Sequence, residues 1–129
     1  MANPTDRKYS KAHVWVECDG NVATCGITDF AQLQLTDILY INAPVVGKTV
    51  GKGEVVTAIE SVKSVSDIFS PASGEILEAN QKVTDGPELV NKDPLGEGWI
   101  FKIRITDMAD LADLLSAAEY DRFTQEESR

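Results

Sequence analysis

Glu60-Ser61-Val62-Lys63-Ser64-Val65-Ser66-Asp67 places a single lysine among small and β-branched residues, midway between two runs that read as strands. Upstream lies Glu54-Val55-Val56-Thr57-Ala58-Ile59-Glu60 and downstream Val65-Ser66-Asp67-Ile68-Phe69-Ser70, both rich in strand-forming residues. Too few residues separate them for anything except a turn, so the spacing predicts a β-hairpin with Lys63 at its tip. A free lysine there is a solvated ammonium with no evident catalytic use. A displayed amine makes better sense as a handle for an amide bond.

The same punctuation continues outward. Ala12–Cys18 and Asn21–Ile27 read as an earlier hairpin turning at Asp19-Gly20. Thr28 has the side chain of a helix N-cap and Asp29 suits the first turn; Phe30, Ala31 and Leu33 suggest the buried face of a short helix near 28–35. Asp37–Asn42 is a further strand, stopped by Ala43-Pro44, and Gly47, Gly51 and Gly53 mark tight turns. Pro71-Ala72-Ser73-Gly74 leads into a strand over Glu75–Asn80, Gly86-Pro87 marks a loop, and Trp99–Ile105 alternates as a half-buried strand. The period then changes. Met108, Leu111, Leu114, Leu115 and Ala118 fall at helical spacing behind Asp107. Ser116-Ala117-Ala118-Glu119 has capping-box form, opening a second helix that packs through Tyr120 and Phe123, with Gln125–Arg129 fraying.

Many short strands with glycine and proline turns predict a mainly β (α+β) chain, a barrel-like sandwich with a helical lid. At 129 residues, residues 1–129 fit one domain. Its hairpin core spans about 37–90 and its C-terminal helical segment about 107–125. The 43% apolar content and the lack of a run of about 20 apolar residues point to a globular protein outside the membrane. A formal charge of −9, from 21 acidic against 12 basic residues, repels nucleic acid and anionic lipid and favours protein partners with basic surfaces. Met1–Lys8 lacks the apolar core of a signal peptide, so the chain is expected to stay where it is made. In that reducing setting Cys18 and Cys25 are expected to be free thiols, and with His13 they lack paired metal-ligand spacing, so no metal is expected.

Stand-alone catalysis finds little support. The single histidine, His13, sits before Val14-Trp15 in a predicted strand, where it caps or packs on the strand end. There is no G-x-S-x-G or G-x-x-x-x-G-K-[ST], and Gly47–Gly53 does not fit a dinucleotide fingerprint. No catalytic residue is assigned. Glu60 and Asp67 flank Lys63 as surface acids; acylation of the lysine would leave them free to meet a cation.

Four segments carry a family resemblance: Gly26-Ile27-Thr28-Asp29-Phe30-Ala31-Gln32, the Glu60–Asp67 stretch, Ser70-Pro71-Ala72-Ser73-Gly74-Glu75, and Pro87-Glu88-Leu89-Val90-Asn91 through Gly96-Glu97-Gly98-Trp99. Together, and in this order, they resemble the glycine cleavage system H protein, over about Tyr9 to Phe123. The resemblance implies a barrel-sandwich hybrid of two antiparallel sheets and lipoate joined by an amide to Lys63. It also implies a carrier that visits glycine decarboxylase, an aminomethyltransferase and dihydrolipoamide dehydrogenase, after modification by lipoate attachment enzymes. A monomer is expected, cytoplasmic in a bacterium or in the mitochondrial matrix for a processed eukaryotic form.

For the site, the resemblance assigns covalent attachment to Lys63, and turn recognition and the surroundings of the arm to Glu60, Ser61, Val62, Ser64, Asp67 and Ser70. One departure stands out: the family's His-Glu-Trp reads His13-Val14-Trp15, and Ala12 offers no hydroxyl. The expectation is that Val14 cannot help hold an aminomethylated arm in a surface cleft. It motivates an alternative, an H-like lipoate relay or regulatory protein outside glycine cleavage. Related carrier domains of 2-oxoacid dehydrogenases and biotin-dependent enzymes place Asp-Lys or Met-Lys-Met at the turn, and Val62-Lys63-Ser64 is neither.

Overall fold

Alternation in Phe101-Lys102-Ile103-Arg104-Ile105 sends three apolar side chains to one face, and that face decides where the core lies. In the computed structural model, which describes residues 3–127, Phe101, Ile103 and Ile105 are buried while Arg104 is exposed. The strands in chain order are β1 (Lys8–Tyr9), β2 (Val14–Asp19), β3 (Val22–Ile27), β4 (Ile38–Ile41), β5 (Thr49–Val50), β6 (Val55–Ser61), β7 (Val65–Phe69), β8 (Gly74–Ala79) and β9 (Phe101–Ile105). The helices are α1 (Asp29–Leu35), α2 (Gln81–Asp85), α3 (Glu88–Lys92), a 3-10 helix over Met108–Asp113 and α4 (Ala117–Glu127).

Among the described residues, one antiparallel sheet has the order β1-β2-β3-β9-β8-β5 and a second has the order β4-β6-β7. Their inner faces meet in one apolar cluster, to which β2, β3, β8 and β9 give Val14, Val16, Cys25, Ile76, Phe101 and Ile103. The small sheet gives Ile38, Ile41, Ile59 and Ile68. The two sheets do not join into a closed barrel, so the mainly β sandwich takes the two-sheet form. The outer face of the large sheet has its own cluster. Trp15, one residue out of phase with Val14 and Val16, packs there with Tyr9, Leu95, Ala117 and Tyr120. Its indole donates to the Pro94 carbonyl at 2.9 Å, and the Tyr9 and Tyr120 rings stack with centroids 4.9 Å apart. The helical lid is thus α4.

Several elements differ from the sequence reading. The first long strand begins at Val14 instead of Ala12, because His13 has a φ of 67° and breaks the extended chain. In α1, Thr28 accepts the Ala31 N–H as expected, but the buried residues are Gln32 and Leu35, and Leu33 is exposed. Gln32 faces inward because its amide is taken up by Asp29 and Asn91, and Leu33 lies about 100° round the helix from it. The first C-terminal segment is a 3-10 helix with Met108 exposed and Leu111 and Leu114 half-buried. In α4 the capping box forms, with Glu119 N–H donating to Ser116 Oγ and Ser116 N–H to Glu119 Oε1. There Ala117 is the buried alanine and Ala118 is exposed. The expected fraying from Gln125 does not occur through Glu127, which pairs with His13; Ser128 and Arg129 lie outside the described residues. Cys25 is buried on β3 and Cys18 exposed at the end of β2, and both are free thiols.

Candidate carrier site

The β6–β7 hairpin pairs Glu60 with Val65, Ile59 with Ser66 and Ala58 with Asp67. Glu60 and Asp67 are therefore not directly opposed; they sit two ladder positions apart on the outer face. Beyond the last pair, Ser61 N–H donates to the Ser64 carbonyl at 2.8 Å and closes the turn. The buried Ser61 hydroxyl does more. It accepts the N–H groups of Lys63 and Ser64, each at 3.2 Å, and lies 3.2 Å from the Ser64 carbonyl, to which it donates. A side chain that satisfies both backbone donors at the tip substitutes for the missing Asn-Gly signature.

A second brace comes from the neighbouring strand. Val62 N–H donates to the Asp37 carbonyl at 3.0 Å, just before β4. Asn91 on α3 fixes that corner: its amide donates to the Thr36 carbonyl and to Gln32 Oε1, and its own oxygen accepts the Ile38 N–H. Val62, Lys63 and Ser64 are all exposed on this scaffold. Lys63 Nζ reaches back to the Gln34 carbonyl at 3.3 Å, on the last turn of α1.

Gln34 also lines a cleft of about 690 Å³. Its apolar wall comes from Ile27, Leu35 and Ile68, and Phe30 and Phe69 add aromatic surface. Ala12 and His13 line it from the turn before β2 and Ser66 and Asp67 from β7, and its charged side chains are Lys11, Asp67 and Glu127. His13 Nε2 is 3.0 Å from Glu127 Oε2 and His13 Nδ1 is 2.7 Å from the Tyr120 hydroxyl. Burial holds His13 below the ordinary imidazole pKa, with the Glu127 carboxylate opposing that shift, so the ring is neutral at pH 7. Among the described residues no cluster of three or more His, Cys, Asp or Glu is placed to hold a metal.

The structure therefore sets Lys63 against Gln34, which lines the cleft together with Asp67, and leaves other expected residues elsewhere. Ser70 is buried with its hydroxyl donating to the Ala72 carbonyl at 2.6 Å, and it lines a separate, smaller cavity. Glu60 is exposed outside the cleft lining. Val14 is fully buried in the main core and does not line the cleft. Sequence reasoning missed Gln34, Asn91 and Glu127, whose roles come from contacts across the fold.

A lysine held out by a doubly braced hairpin beside a cleft is the geometry of a carrier module. The profile described as "Glycine cleavage H-protein" matches residues 7–127. A glycine cleavage system H protein of Thermotoga maritima is 51% identical over 121 residues, covering 94% of this chain and 98% of the relative. One of Thermus thermophilus is 48% identical over 128 residues, covering 99% of this chain and 100% of the relative. The crystal structure of a glycine cleavage system H protein from Mycobacterium marinum superposes with a TM-score of 0.88 at 35% identity, over 95% of this chain and 99% of that one. The chain belongs to the glycine cleavage H-protein family.

Proposed function

We propose that this chain is the lipoylated carrier of glycine cleavage, with lipoate joined to Lys63, and that it has no catalytic centre of its own. The exposed Lys63 on its braced turn carries the reading. The surroundings fit an acylated lysine. Its small neighbours Ser61 and Ser64 leave room for an attachment enzyme, and the contact of Nζ is with a neutral carbonyl, that of Gln34. An amide nitrogen keeps one N–H for that carbonyl, while loss of the ammonium leaves no buried charge unpaired.

Lipoate joined to Lys63 would supply a dithiolane, a group able to accept the aminomethyl carbon together with an electron pair. The chain's own residues do the positioning. Ser61 and Asp37 fix where the arm starts, and Gln34 aims its root along the edge of the cleft. Glycine decarboxylase, an aminomethyltransferase and dihydrolipoamide dehydrogenase are the partners, met in the cytoplasm of a bacterial source. Tethering replaces free diffusion with an effective concentration set by the reach of the arm. Intact-mass measurement after co-expression with a lipoate attachment system tests the first half: one lipoyl group on the parent and none on Lys63→Ala. Glycine–carbon dioxide exchange with glycine decarboxylase tests the second; a lipoylated chain inactive in exchange would favour the relay alternative.

A further inference from the structure

The cleft holds a carboxylate that the hairpin does not supply. Glu127 reaches it from the end of α4, and a continuous chain of polar contacts determines how it is held. Thr28 Oγ1 is 2.6 Å from the Tyr120 hydroxyl, which is 2.7 Å from His13 Nδ1, and His13 Nε2 is 3.0 Å from Glu127 Oε2. Thr28 Oγ1 already accepts the Ala31 N–H. Donor directions that satisfy the whole chain run one way: Thr28 O–H to Tyr120, Tyr120 O–H to His13 Nδ1, and His13 Nε2–H to Glu127. Tyr120 is buried, which pushes its hydroxyl pKa upward and keeps it a donor.

A neutral His13 orients Glu127 without cancelling its charge, and the contact engages Oε2, so Oε1 can take a further donor. Asp67 supplies a second carboxylate from β7, against one cation, Lys11, and the wall between is apolar. Apolar walls with two carboxylates suit a ligand that is aliphatic along its length and cationic at its tip. We infer that Glu127, aimed by Thr28, Tyr120 and His13, is a binding residue of this cleft that with Asp67 retains the amine of the loaded arm. The inference rests on the carrier reading of Lys63, and makes the C-terminal helix part of cargo retention in a chain whose position 14 is apolar.

The test uses the full-length lipoylated chain, loaded by glycine decarboxylase with glycine labelled at the methylene carbon. Unassisted loss of cargo consumes one water, breaks the C–S and C–N bonds, and releases formaldehyde and ammonium while leaving the thiol. Without aminomethyltransferase, Glu127→Gln should lose label about 5- to 10-fold faster than the parent, the size expected for one charge-assisted hydrogen bond at a partly exposed site. Glu127→Asp should recover part of the loss, and Tyr120→Phe, which keeps the ring stack, should give a smaller increase. The carbon resonance should be broad and shifted in the parent and narrow in Glu127→Gln. An arm reduced and capped with a neutral carboxamidomethyl group should give the same spectrum in both. Failure of the parent to load would overturn the carrier reading and this inference together. Normal loading with equal label loss in parent and Glu127→Gln would overturn this inference alone.

Discussion

The Ser61 hydroxyl lies 3.2 Å from the backbone nitrogen of Lys63, so the residue that carries the amine is fixed by a side chain two positions earlier. The display of the lysine is thus local geometry, written into one buried serine.

Ser61→Ala removes the acceptor of both tip N–H groups. It should lower stability by about 1 kcal/mol and slow lipoylation of an otherwise folded chain, because the tip no longer holds one shape. Ser64→Ala, at an exposed position where only backbone groups bond, should stay within about 0.5 kcal/mol of the parent. Urea unfolding and a mass-spectrometric time course separate the two effects.

Gly74 opens β8 opposite Ile105, and a Cβ there would stand 2.1 Å from the Arg104 carbonyl oxygen. That obstacle is backbone within a sheet, so it cannot swing aside. Gly74→Ala should cost about 3 kcal/mol or more, read as a large drop in the thermal midpoint.

The pH dependence follows from His13. Its folded pKa lies below the unfolded value of about 6.5, so as pH falls the unfolded chain takes up the proton first. Stability present above that value therefore declines towards the lower folded pKa. Glu127, which accepts from the ring, and Tyr120, which donates to it, are the titratable groups in direct contact. Asp6, Asp113 and Glu119 are held low by their partners, so their contributions fall away only at more acidic pH, below their ordinary carboxylate range. Urea midpoints should drop from about pH 7.5 to about pH 5.5, and His13→Asn, which tolerates the positive φ, should flatten the slope.

Thiol chemistry should separate the cysteines. Burial pushes the Cys25 thiol far up, and raises Cys18 less. A water-soluble disulfide reagent should titrate Cys18 slowly in the native chain and reach Cys25 only on adding denaturant.

What could be read from the residues was what neighbours decide. The Thr28 cap, the Ser116–Glu119 box, the first hairpin, whose turn falls at Gly20-Asn21, one residue past the expected Asp19-Gly20, and the position of Lys63 all rest on contacts within a few residues. Two-residue strands such as Lys8–Tyr9 and Thr49–Val50 carry no periodicity. Gln81–Asp85 and Glu88–Lys92 are single-turn helices, too short for a helical stripe, although Asn80 caps the first. Asn91 and Glu127 were unreadable for a different reason. Their partners, Thr36 and Ile38 for one and His13 for the other, are brought near only by the packed fold. The resemblance put Ser70 in the surroundings of the arm, yet its hydroxyl is spent on the Ala72 carbonyl.

The sheet order also sets an order of events in time. β9 lies between β3 and β8, so neither of those strands gains its inner neighbour until the chain through Ile105 is available. β6 and β7, by contrast, pair across a turn of a few residues and pay little loop-closure entropy. A chain emerging from its amino end can therefore form the lysine hairpin early, while the large sheet stays open until its late strand arrives. Arrival of β9 is then the step that commits the fold, and mutations that weaken its two seams should slow folding more than mutations at the hairpin tip.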